Sequence, residues 1–492
     1  MDFLDPKRKK AHRRRLLIGY LLMAVAIAMG TLILLFSAFG YWVDRKTGDV
    51  IQNGTVFVDS QPGGSNIYLN GVLQGNRTST RLVLPGGQQY TVKLSLDGYK
   101  DWTRTFTLSG GSIERLVYPL LVPKTLTTTE SQLYSSAPSL MTQSPDNHWL
   151  LVQQPNQTYV FDLYDLTNLK SNPTTVTIPN GLLTDPTKPA QLSVIEWSSD
   201  NHHLLLQRSF NGTNEFLMLD VSSVSSSVNI NTALSVNPSS VSLRDRKGDQ
   251  VYIYDGSGGT IRSGDLKTST LSGVILSDVL SFHSFGSDII LYATKTGADA
   301  GKVNVRVREN DKATYLIKSI HESQNYLLNI AEFDGTQYYT LGSNVEDAVF
   351  VYKDPLPTLK GQQSKALLIP AVLRLTNPQF VSFSPNSQFI AVQSKNNLVV
   401  YDVQNDHQYK LTLNHVVALG DKIMWMDGYR FVLTDNSQAY IFDFDGSNEQ
   451  SLVASLPNGV FFTPDNKQVV SLASSKKVTG RYALTQTSLT KK

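Results

Sequence analysis

The hydrophobic pattern of the chain changes character after its first forty residues. From Leu16 to Phe39, twenty-four residues carry no charge. At about 1.5 Å per residue this segment predicts a helix of roughly 36 Å. A hydrocarbon core is about 30 Å thick, so such a helix is long enough to span a membrane with some tilt. Beyond it, helical periodicity nearly disappears and short alternating runs predict strands. The pattern therefore predicts an all-β protein behind one N-terminal transmembrane helix.

A basic cluster directly precedes the apolar segment. Lysine and arginine beside a membrane helix stay in the cytoplasm, so the cluster predicts a cytoplasmic N-terminus and export of the remaining chain. Its charge also suits anionic lipid headgroups. The members of the cluster are Lys7, Arg8, Lys9, Lys10, Arg13, Arg14 and Arg15.

A cleaved signal peptide and a buried helix of a soluble protein are the other interpretations of this segment. The apolar core of a signal peptide is usually about 7 to 15 residues long and ends in small residues. Here the core is longer, and Phe39, Tyr41 and Trp42 at its end suit the aromatic belt of a membrane interface. A buried helix would leave the basic cluster unexplained. We predict an uncleaved signal anchor over residues 16–42, after a cytoplasmic tip of residues 1–15.

A first β unit is predicted over residues 54–123, after a juxtamembrane linker of residues 43–53. Its short strands are separated by Pro-Gly, Asn-Gly and Asp-Gly pairs, which permit the positive φ angles of tight hairpins. The turn and aromatic residues that set its pattern are Pro62, Gly63, Gly64, Asn70, Gly71, Gly75, Pro85, Gly86, Gly98, Tyr99 and Trp102.

The order of these residues resembles a PEGA domain. The sequence departs from the family at residues 62–65, where Pro-Gly-Gly-Ser stands in place of Pro-Glu-Gly-Ala, and at residues 76–79, where a Thr-Pro pair is usual. The resemblance implies a small β-sandwich found on prokaryotic envelope proteins, with binding roles and no catalytic residues. It thus implies a spacer or adhesion module.

The remaining residues, 124–492, repeat a polar turn followed by a short apolar strand. The turns recur every 36 to 54 residues, within the range of β-propeller blades. Residues 383–403 resemble the blade pattern of tryptophan-aspartate-like propellers. We predict a β-propeller with eight blades favoured and seven as the close alternative. Two smaller propellers are a further possibility, and they would divide at the serine-rich residues 222–242. We interpret that segment instead as a polar loop between blades. The eight segments begin at Ser144, Ser198, Arg246, Phe285, Phe333, Ser384, Asp427 and Thr463.

Composition narrows the classes of function. The chain has 44 basic and 41 acidic residues, and without its first fifteen residues these become 37 and 39. The near-neutral exported part lacks the basic stripe that nucleic-acid binding requires. The chain has no cysteine, which excludes disulfides, thiolate zinc sites and a cysteine nucleophile. Large secreted eukaryotic proteins usually contain disulfides, so a prokaryotic envelope is the favoured location.

No local catalytic motif is present in the sequence, neither a G-x-S-x-G elbow nor a phosphate loop nor an H-E-x-x-H zinc site. We therefore predict no catalytic, cofactor or metal residue. Asp443, Asp445 and Asn448 resemble the start of a calcium loop but lack a distal glutamate at the required spacing, which favours a hairpin turn. His202 and His203 are neighbours on a predicted strand and point to opposite faces, which favours a surface role over a shared metal.

Two recurring residue types have structural explanations. Asp146, Asp200, Asn386 and Asp465 occupy equivalent positions of the repeats, as a turn requirement predicts. The tryptophans of the folded part are expected to pack in cores, with stacking on sugars or anchoring of a protein partner as the alternatives.

The favoured hypothesis is a single-pass envelope protein whose propeller binds protein or cell-wall glycan. The alternatives are a surface hydrolase with acids in the propeller channel, and a ligand sensor that signals through a membrane partner. The sequence indicates neither the ligand nor the oligomeric state.

Overall fold

The computed structural model describes residues 6–43, 48, 50–310, 313–361, 366–418 and 420–491. The side chains of Lys7, Arg8 and Lys9 lie outside this description, so their predicted roles stay predictions. Contacts within the chain define two units, Met1–Thr125 and Leu126–Lys492. Each unit has its own sheets and its own core.

One long helix opens the first unit. Helix α1 spans Pro6–Ala38, and an 18-residue stretch within Lys10–Ala38 has a mean hydropathy of 2.5 and none of it is buried. Within the described part of the chain, this is the one helix whose length and composition allow it to cross a membrane. The same properties suit a signal anchor. The charge-free segment predicted from the sequence lies inside this helix except for its last residue, Phe39.

Eight short strands follow α1 in the first unit and form two four-stranded sheets. In one sheet β2 lies between β5 and β8, with β1 pairing its start, and only the β2–β8 pair is parallel. The other sheet has the order β4-β3-β6-β7. The strands are β1 (Tyr41–Val43), β2 (Val50–Val58), β3 (Asn66–Leu69), β4 (Val72–Arg77), β5 (Thr80–Pro85), β6 (Gln88–Ser95), β7 (Trp102–Leu108) and β8 (Ile113–Leu116).

The two sheets of the first unit pack face to face. Burial alternates along β6 and β7, as expected of strands with one face in a core and one in solvent. Gly54 of β2 lies against Leu108 of β7, so closely that an added Cβ would come within 2.7 Å of the leucine side chain. Trp102 is 1% exposed and meets the Tyr118 ring edge-on at 5.8 Å. These contacts define a small β-sandwich.

Among its described residues, the second unit has thirty-two strands, two one-turn α-helices and two 3-10 helices, Asn180–Leu182 and Val224–Ser226. Helix α2 spans Ile230–Ala233 and helix α3 spans Pro355–Leu359. In chain order the strands are β9 (Thr128–Tyr134), β10 (Met141–Gln143), β11 (Trp149–Gln153), β12 (Val160–Asp165), β13 (Thr174–Thr177), β14 (Gln191–Trp197), β15 (His203–Phe210), β16 (Thr213–Asp220), β17 (Val228–Asn229), β18 (Ser240–Leu243), β19 (Gln250–Asp255), β20 (Thr260–Asp265), β21 (Thr270–Leu271), β22 (Val279–Phe285), β23 (Ile289–Thr294), β24 (Lys302–Glu309), β25 (Thr314–His321), β26 (Asn329–Phe333), β27 (Thr336–Ser343), β28 (Ala348–Lys353), β29 (Leu368–Arg374), β30 (Phe380–Phe383), β31 (Phe389–Ser394), β32 (Asn397–Asp402), β33 (His407–Thr412), β34 (Met424–Trp425), β35 (Arg430–Asp435), β36 (Gln438–Asp443), β37 (Gln450–Ala454), β38 (Val460–Phe462), β39 (Gln468–Ser474) and β40 (Tyr482–Ser488).

These strands form eight four-stranded sheets among the described residues, numbered here as sheets 1 to 8. Sheets 1 to 7 each use four consecutive strands, from β10–β13 in sheet 1 to β34–β37 in sheet 7. Sheet 8 has the order β38-β39-β40-β9. The first strand of the unit therefore completes the last sheet, through antiparallel pairing of β9 with β40.

Consecutive sheets share hydrophobic cores. Clusters of buried side chains join sheets 1 and 2, 2 and 3, 3 and 4, 4 and 5, and 5 and 6. Trp425 of sheet 7 stacks on Phe389 of sheet 6, and Ser471 of sheet 8 donates to the carbonyl of Ala454 in sheet 7. A further cluster packs sheet 8 on sheet 1. The sheets thus follow one another in a propeller-like succession.

The predicted turn-and-strand segments match this architecture. Each of the eight predicted polar turns leads into the second strand of one sheet, from β11 in sheet 1 to β39 in sheet 8. Most of these second strands are buried on both faces, as the pattern of β11 shows, because a neighbouring sheet covers each face. Burial on both faces explains why the sequences of these second strands are continuous apolar runs. The two one-turn helices were not predicted; α2 begins where the Asn229 side chain caps the backbone N–H of Thr232.

Candidate binding cavity

A cavity of about 680 Å³ lies in the second unit beside the first strands of sheets 7, 8 and 1. These strands, β34, β38 and β10, each pair with a neighbour on one side only. The segment between β33 and β34 contributes a further part of the wall. The volume falls in the range of about 300 to 1,000 Å³ that is typical of ligand pockets.

The wall of the cavity combines apolar and polar side chains, and apolar residues are the majority. Met141, Met424 and Val460 contribute one side chain from each of the three strands. Met424 is 50% exposed and Val416, on the segment before β34, is 78% exposed. Exposed apolar side chains in a concave site are typical of ligand-binding cavities.

One lysine stands in this wall. Lys422 is accessible to solvent through the open cavity, yet surrounding protein desolvates its amine and lowers the pKa of that group. Within the described part of the chain, no carboxylate forms an ion pair with Lys422. The neighbouring Asp421 is the one acidic side chain among the described residues of the wall.

The backbone on both sides of Lys422 is fixed by a buried amide. Gln393 of β31 is 4% exposed; its Nε2 donates to the carbonyl of Asp421 at 2.8 Å, and its Oε1 accepts from the N–H of Ile423 at 2.9 Å. Because a buried amide is costly to leave unpaired, this bridge orders the segment that carries the lysine. The site therefore has a cation on an ordered backbone segment.

Two further titratable side chains lie on first strands of other sheets. Burial raises the pKa of Glu196 on β14, although the backbone N–H of Leu243 donates to its carboxylate. Burial lowers the pKa of His283 on β22 to about 4. Neither belongs to the cavity wall. Nothing in their local sequence distinguishes them, because their burial results from neighbouring sheets distant in the chain.

The repeated acidic turns act as the sequence predicts. The Asp146 carboxylate accepts from the Ser144 hydroxyl at 2.5 Å and from the backbone N–H of His148 at 3.0 Å. Asn147, which follows, has a φ of 61°. The same arrangement recurs at Asp200, Asn386 and Asp465. These side chains close the turns before the second strands of sheets 1, 2, 6 and 8, as side chains of this type commonly do in Asx turns.

The sequence resembling a calcium loop is also a turn. Asp445 accepts from the backbone N–H and the hydroxyl of Ser447, and Asp443 accepts from the Asn448 amide at 2.9 Å. The segment connects β36 to β37. Its oxygen atoms are thus engaged in hydrogen bonds within the hairpin.

The two adjacent histidines have different surroundings. His202 is exposed, whereas His203 is half-buried and its Nδ1 lies 2.7 Å from Asp200. The ring also lies against Gly248, where an added Cβ would come within 2.4 Å of it. His203 therefore has a packing role between neighbouring sheets, and His202 fits the predicted surface role.

The motif residues of the first unit occupy turns and core positions. Asn70 and Gly71 have φ angles of 48° and 83° and join β3 to β4. Gly86 lies where an added Cβ would come within 2.4 Å of the backbone of Gly110. The remaining positions are the turn at Pro62, Gly63 and Gly64, the interior of β4 at Gly75, the end of β5 at Pro85, the approach to β7 at Gly98 and Tyr99, and its buried start at Trp102.

The tryptophans of the folded units are engaged in packing. The Trp197 indole donates to Thr142 at 2.9 Å and the Trp425 indole donates to Ser382 at 3.1 Å. The Trp149 ring stacks on His148 at 4.3 Å. Trp197 and Trp425 thus link the first strands of neighbouring sheets, Trp102 is buried, and Trp149 packs against the core shared by sheets 1 and 2, which agrees with the predicted core role.

Comparisons with known proteins identify one domain. Residues 53–120 match the PEGA domain family, which confirms the resemblance for the first β unit. No curated protein sequence matches the chain. The chain is accordingly an all-β protein that has an N-terminal apolar helix, a PEGA domain and a propeller-like succession of sheets.

Several solved structures are similar to the chain at low sequence identity. The Dos1 propeller is 11% identical with a TM-score of 0.42, over 74% of this chain and 95% of that chain. The β-propeller domain of Cps50 (Swd1) from Myceliophteria thermophila is 10% identical with a TM-score of 0.37, over 73% and 99%. The tricorn protease is 14% identical with a TM-score of 0.39, over 74% of this chain but only 38% of its own length.

Proposed function

We propose that this protein is a single-pass membrane protein of a prokaryotic envelope, whose exported part binds a protein partner. In this proposal α1 is an uncleaved signal anchor with its basic end in the cytoplasm. The PEGA domain is a spacer, and the second unit is a closed eight-bladed β-propeller that carries the binding cavity.

The pairing of β9 with β40 supports a closed propeller. Proteins of this class commonly avoid free sheet edges and join their ends so that the last blade contains strands from both ends of the domain. Tyr134 of β9 adds a link across the junction, since its hydroxyl donates to Asp162 of sheet 1 at 3.0 Å. The core shared by sheets 8 and 1 supports the same arrangement.

The cavity wall is the observation that carries the binding function. Hydrolysis of glycans generally requires two carboxylates about 5 to 9 Å apart. Among the described wall residues Asp421 is the one carboxylate, and most of the others are apolar or amide side chains. This composition favours a binding site over a hydrolase. Trp425 is the one tryptophan of the described wall, and its ring already stacks on Phe389 and Phe431. This favours a protein partner over a glycan, because a ring that stacks on a sugar must have a free face.

The membrane topology can be tested with a cysteine reporter, because the chain itself lacks cysteine. A single cysteine at Val478, which is 38% exposed in the second unit, gives one reporter thiol. We expect a membrane-impermeant maleimide to label it in intact spheroplasts as fully as in lysed ones. Labelling only after lysis would contradict export of this unit.

The partner has its own test. Photo-cross-linkers placed at Met424 and Val416 of the full chain in native membranes are expected to capture an envelope protein. The same cross-linker at the exposed Val72 of the first unit is the control. Capture of equal material from all three positions, or of none from the cavity positions, would contradict a binding function of the cavity.

A further inference from the structure

We propose that the cavity binds the C-terminal end of a peptide, with its carboxylate on Lys422 and its apolar side chains against Met141, Met424 and Val460. This inference rests on the proposed function, since it assigns the ligand class of the same cavity.

The cation of the wall, Lys422, defines the first requirement of the ligand. An ammonium group in a mostly apolar wall is destabilised when no carboxylate of the protein accompanies it. Lys422 is in this situation among the described residues, and burial is the one cause that lowers the pKa of its amine. A ligand carboxylate beside the amine would restore the missing interaction. The site is therefore suited to an anion.

The strand edges define the second requirement. Each of β10, β34 and β38 has one backbone edge outside the hydrogen bonding of its own sheet. One acceptor on these edges, the carbonyl of Phe462, is already used by the Gln143 amide at 2.6 Å. A peptide carries both N–H and C=O groups that match such edges, whereas a fatty acid carries neither along its chain. The edges thus favour a peptide over a lipid.

The apolar wall and the fixed lysine define the third requirement. Side chains of Met141 and Met424 are unbranched and adapt to ligands of different shape, as methionine does at other peptide-binding surfaces. The amide of Gln393 holds the backbone on both sides of Lys422, so the segment that carries the cation is ordered before the ligand arrives. The ligand therefore needs apolar side chains next to its carboxylate.

The experiment compares three probes on the full chain in lipid nanodiscs. The first is a pool of fluorescent tetrapeptides with apolar residues at the last two positions and a free C-terminus. The second is the same pool as C-terminal amides, and the third is dodecanoate used as a competitor. We expect the free acids to bind about tenfold more tightly than the amides, as one charge-assisted contact provides. Dodecanoate is expected to compete weakly.

A variant assigns the preference to the lysine. Lys422→Met keeps the length and apolar stem of the side chain and is expected to remove the difference between acids and amides. Lys410→Met, at an exposed position of β33, is the matched control and is expected to keep it. Retention of the difference in Lys422→Met would overturn the proposal, as would equal binding of acids and amides by the unmodified chain. Competition by dodecanoate as strong as that of the acids would assign the cavity to a lipid instead.

Chemical labelling gives a second readout that does not depend on a change of sequence. Lys422 is expected to react rapidly with acetic anhydride at pH 8, and the free-acid pool, but not the amide pool, is expected to slow this reaction. Unchanged labelling in the presence of bound acid peptides would overturn the contact with Lys422. If Lys422→Met still cross-links the envelope partner, the proposed function stands even where the peptide proposal fails.

Discussion

Arg208 is a completely buried cation that ties two sheets of the second unit together. Its Nη1 donates to Glu215 at 2.7 Å and to the carbonyl of Thr184 at 2.6 Å, and its Nη2 donates to the carbonyl of Asp185 at 2.9 Å. Its Nε donates to the hydroxyl of Tyr159 in sheet 1 at 2.7 Å. Five donors of one planar group can bind several acceptors at once, which lysine cannot do. The network holds the connection between sheets 1 and 2.

Replacement of Arg208 is expected to destabilise the second unit strongly. Arg208→Met leaves the Glu215 carboxylate buried without its cation, which costs about 3 to 5 kcal/mol in comparable cases. The double variant with Glu215→Met is expected to recover part of this loss. The exposed Lys302–Asp299 pair gives the control, because Lys302→Met is expected to cost less than about 1 kcal/mol. Urea denaturation of the purified chain measures all three; a loss in Arg208→Met no larger than the control would refute the network.

The turn at Asp200 makes stability depend on pH. Burial would raise the pKa of this carboxyl group, but hydrogen bonds from Ser198 and from the backbone of His202 and His203 outweigh burial and lower the pKa to about 2. A carboxyl group whose folded pKa is depressed stabilises the fold above its unfolded pKa of about 3.9. That contribution is lost as the pH falls through about 2.

Asp200→Asn tests this dependence with little change of shape, because asparagine already occupies the equivalent turn at Asn386. We expect the variant to be less stable than the wild type at pH 6 and the difference to shrink between pH 4 and pH 2. Thermal unfolding midpoints across this range provide the measurement. Parallel curves at every pH would show that the carboxylate contributes nothing through its ionisation.

At the scale of elements, the sequence predicted which segments become strands but not which strands meet. The runs after the turns at Ser144 and Ser384 became β11 and β31, since polar turns and apolar runs are local signals. The pairing of β9 with β40 joins Tyr134 to Tyr482, and no local pattern encodes such a distance. The cavity was missed for the same reason, because Met141 and Met424 lie on strands far apart in the chain.

The junction of β9 and β40 has a direct test in a chain without cysteine. Thr129 and Gln486 are directly opposite across the two strands, so Thr129→Cys with Gln486→Cys places two thiols at a distance typical of a disulfide. We expect the bond to form and to stabilise the unit by up to about 5 kcal/mol, because the loop it closes is very long. Thermal unfolding with and without reductant measures the gain.

A second cysteine pair serves as the control, because it shows how much stability a disulfide within one sheet provides. Val399 and Lys410 are opposite each other within sheet 6, and their disulfide closes only a short loop. This pair is expected to stabilise the unit less than the pair across the junction, in line with the dependence on loop length. Failure of the junction pair to form while the sheet 6 pair forms would contradict the β9–β40 pairing.

At the scale of the whole molecule, the chain combines an apolar helix with two separately packed β units. The contacts that define the cavity all lie within the second unit. Because all residues of the cavity wall belong to one unit, the helix contributes no residue to the cavity. This organisation agrees with a tether and gives the anchor no direct part in binding.

Exchange of the helix distinguishes a tether from a sensor. Replacement of residues 16–39 by an unrelated apolar segment of equal length, with the basic cluster retained, is expected to leave cross-linking at Met424 unchanged. Cross-linking efficiency in membranes and the phenotype of cells carrying the exchange are the two readouts. Loss of the phenotype with preserved cross-linking would favour the alternative in which ligand binding is passed to a membrane partner.

The pairing of β9 with β40 also determines when the last sheet can form during translation. Ribosomes add about 5 to 20 residues per second, so β40 emerges tens of seconds after β9. During that time β9 is a strand with two unpaired edges, and such edges readily recruit other chains. The last sheet can form only when translation is nearly finished. Until then the proposed closed propeller lacks its last sheet, and a chain truncated before Tyr482 would leave β9 without β40, the strand with which it pairs.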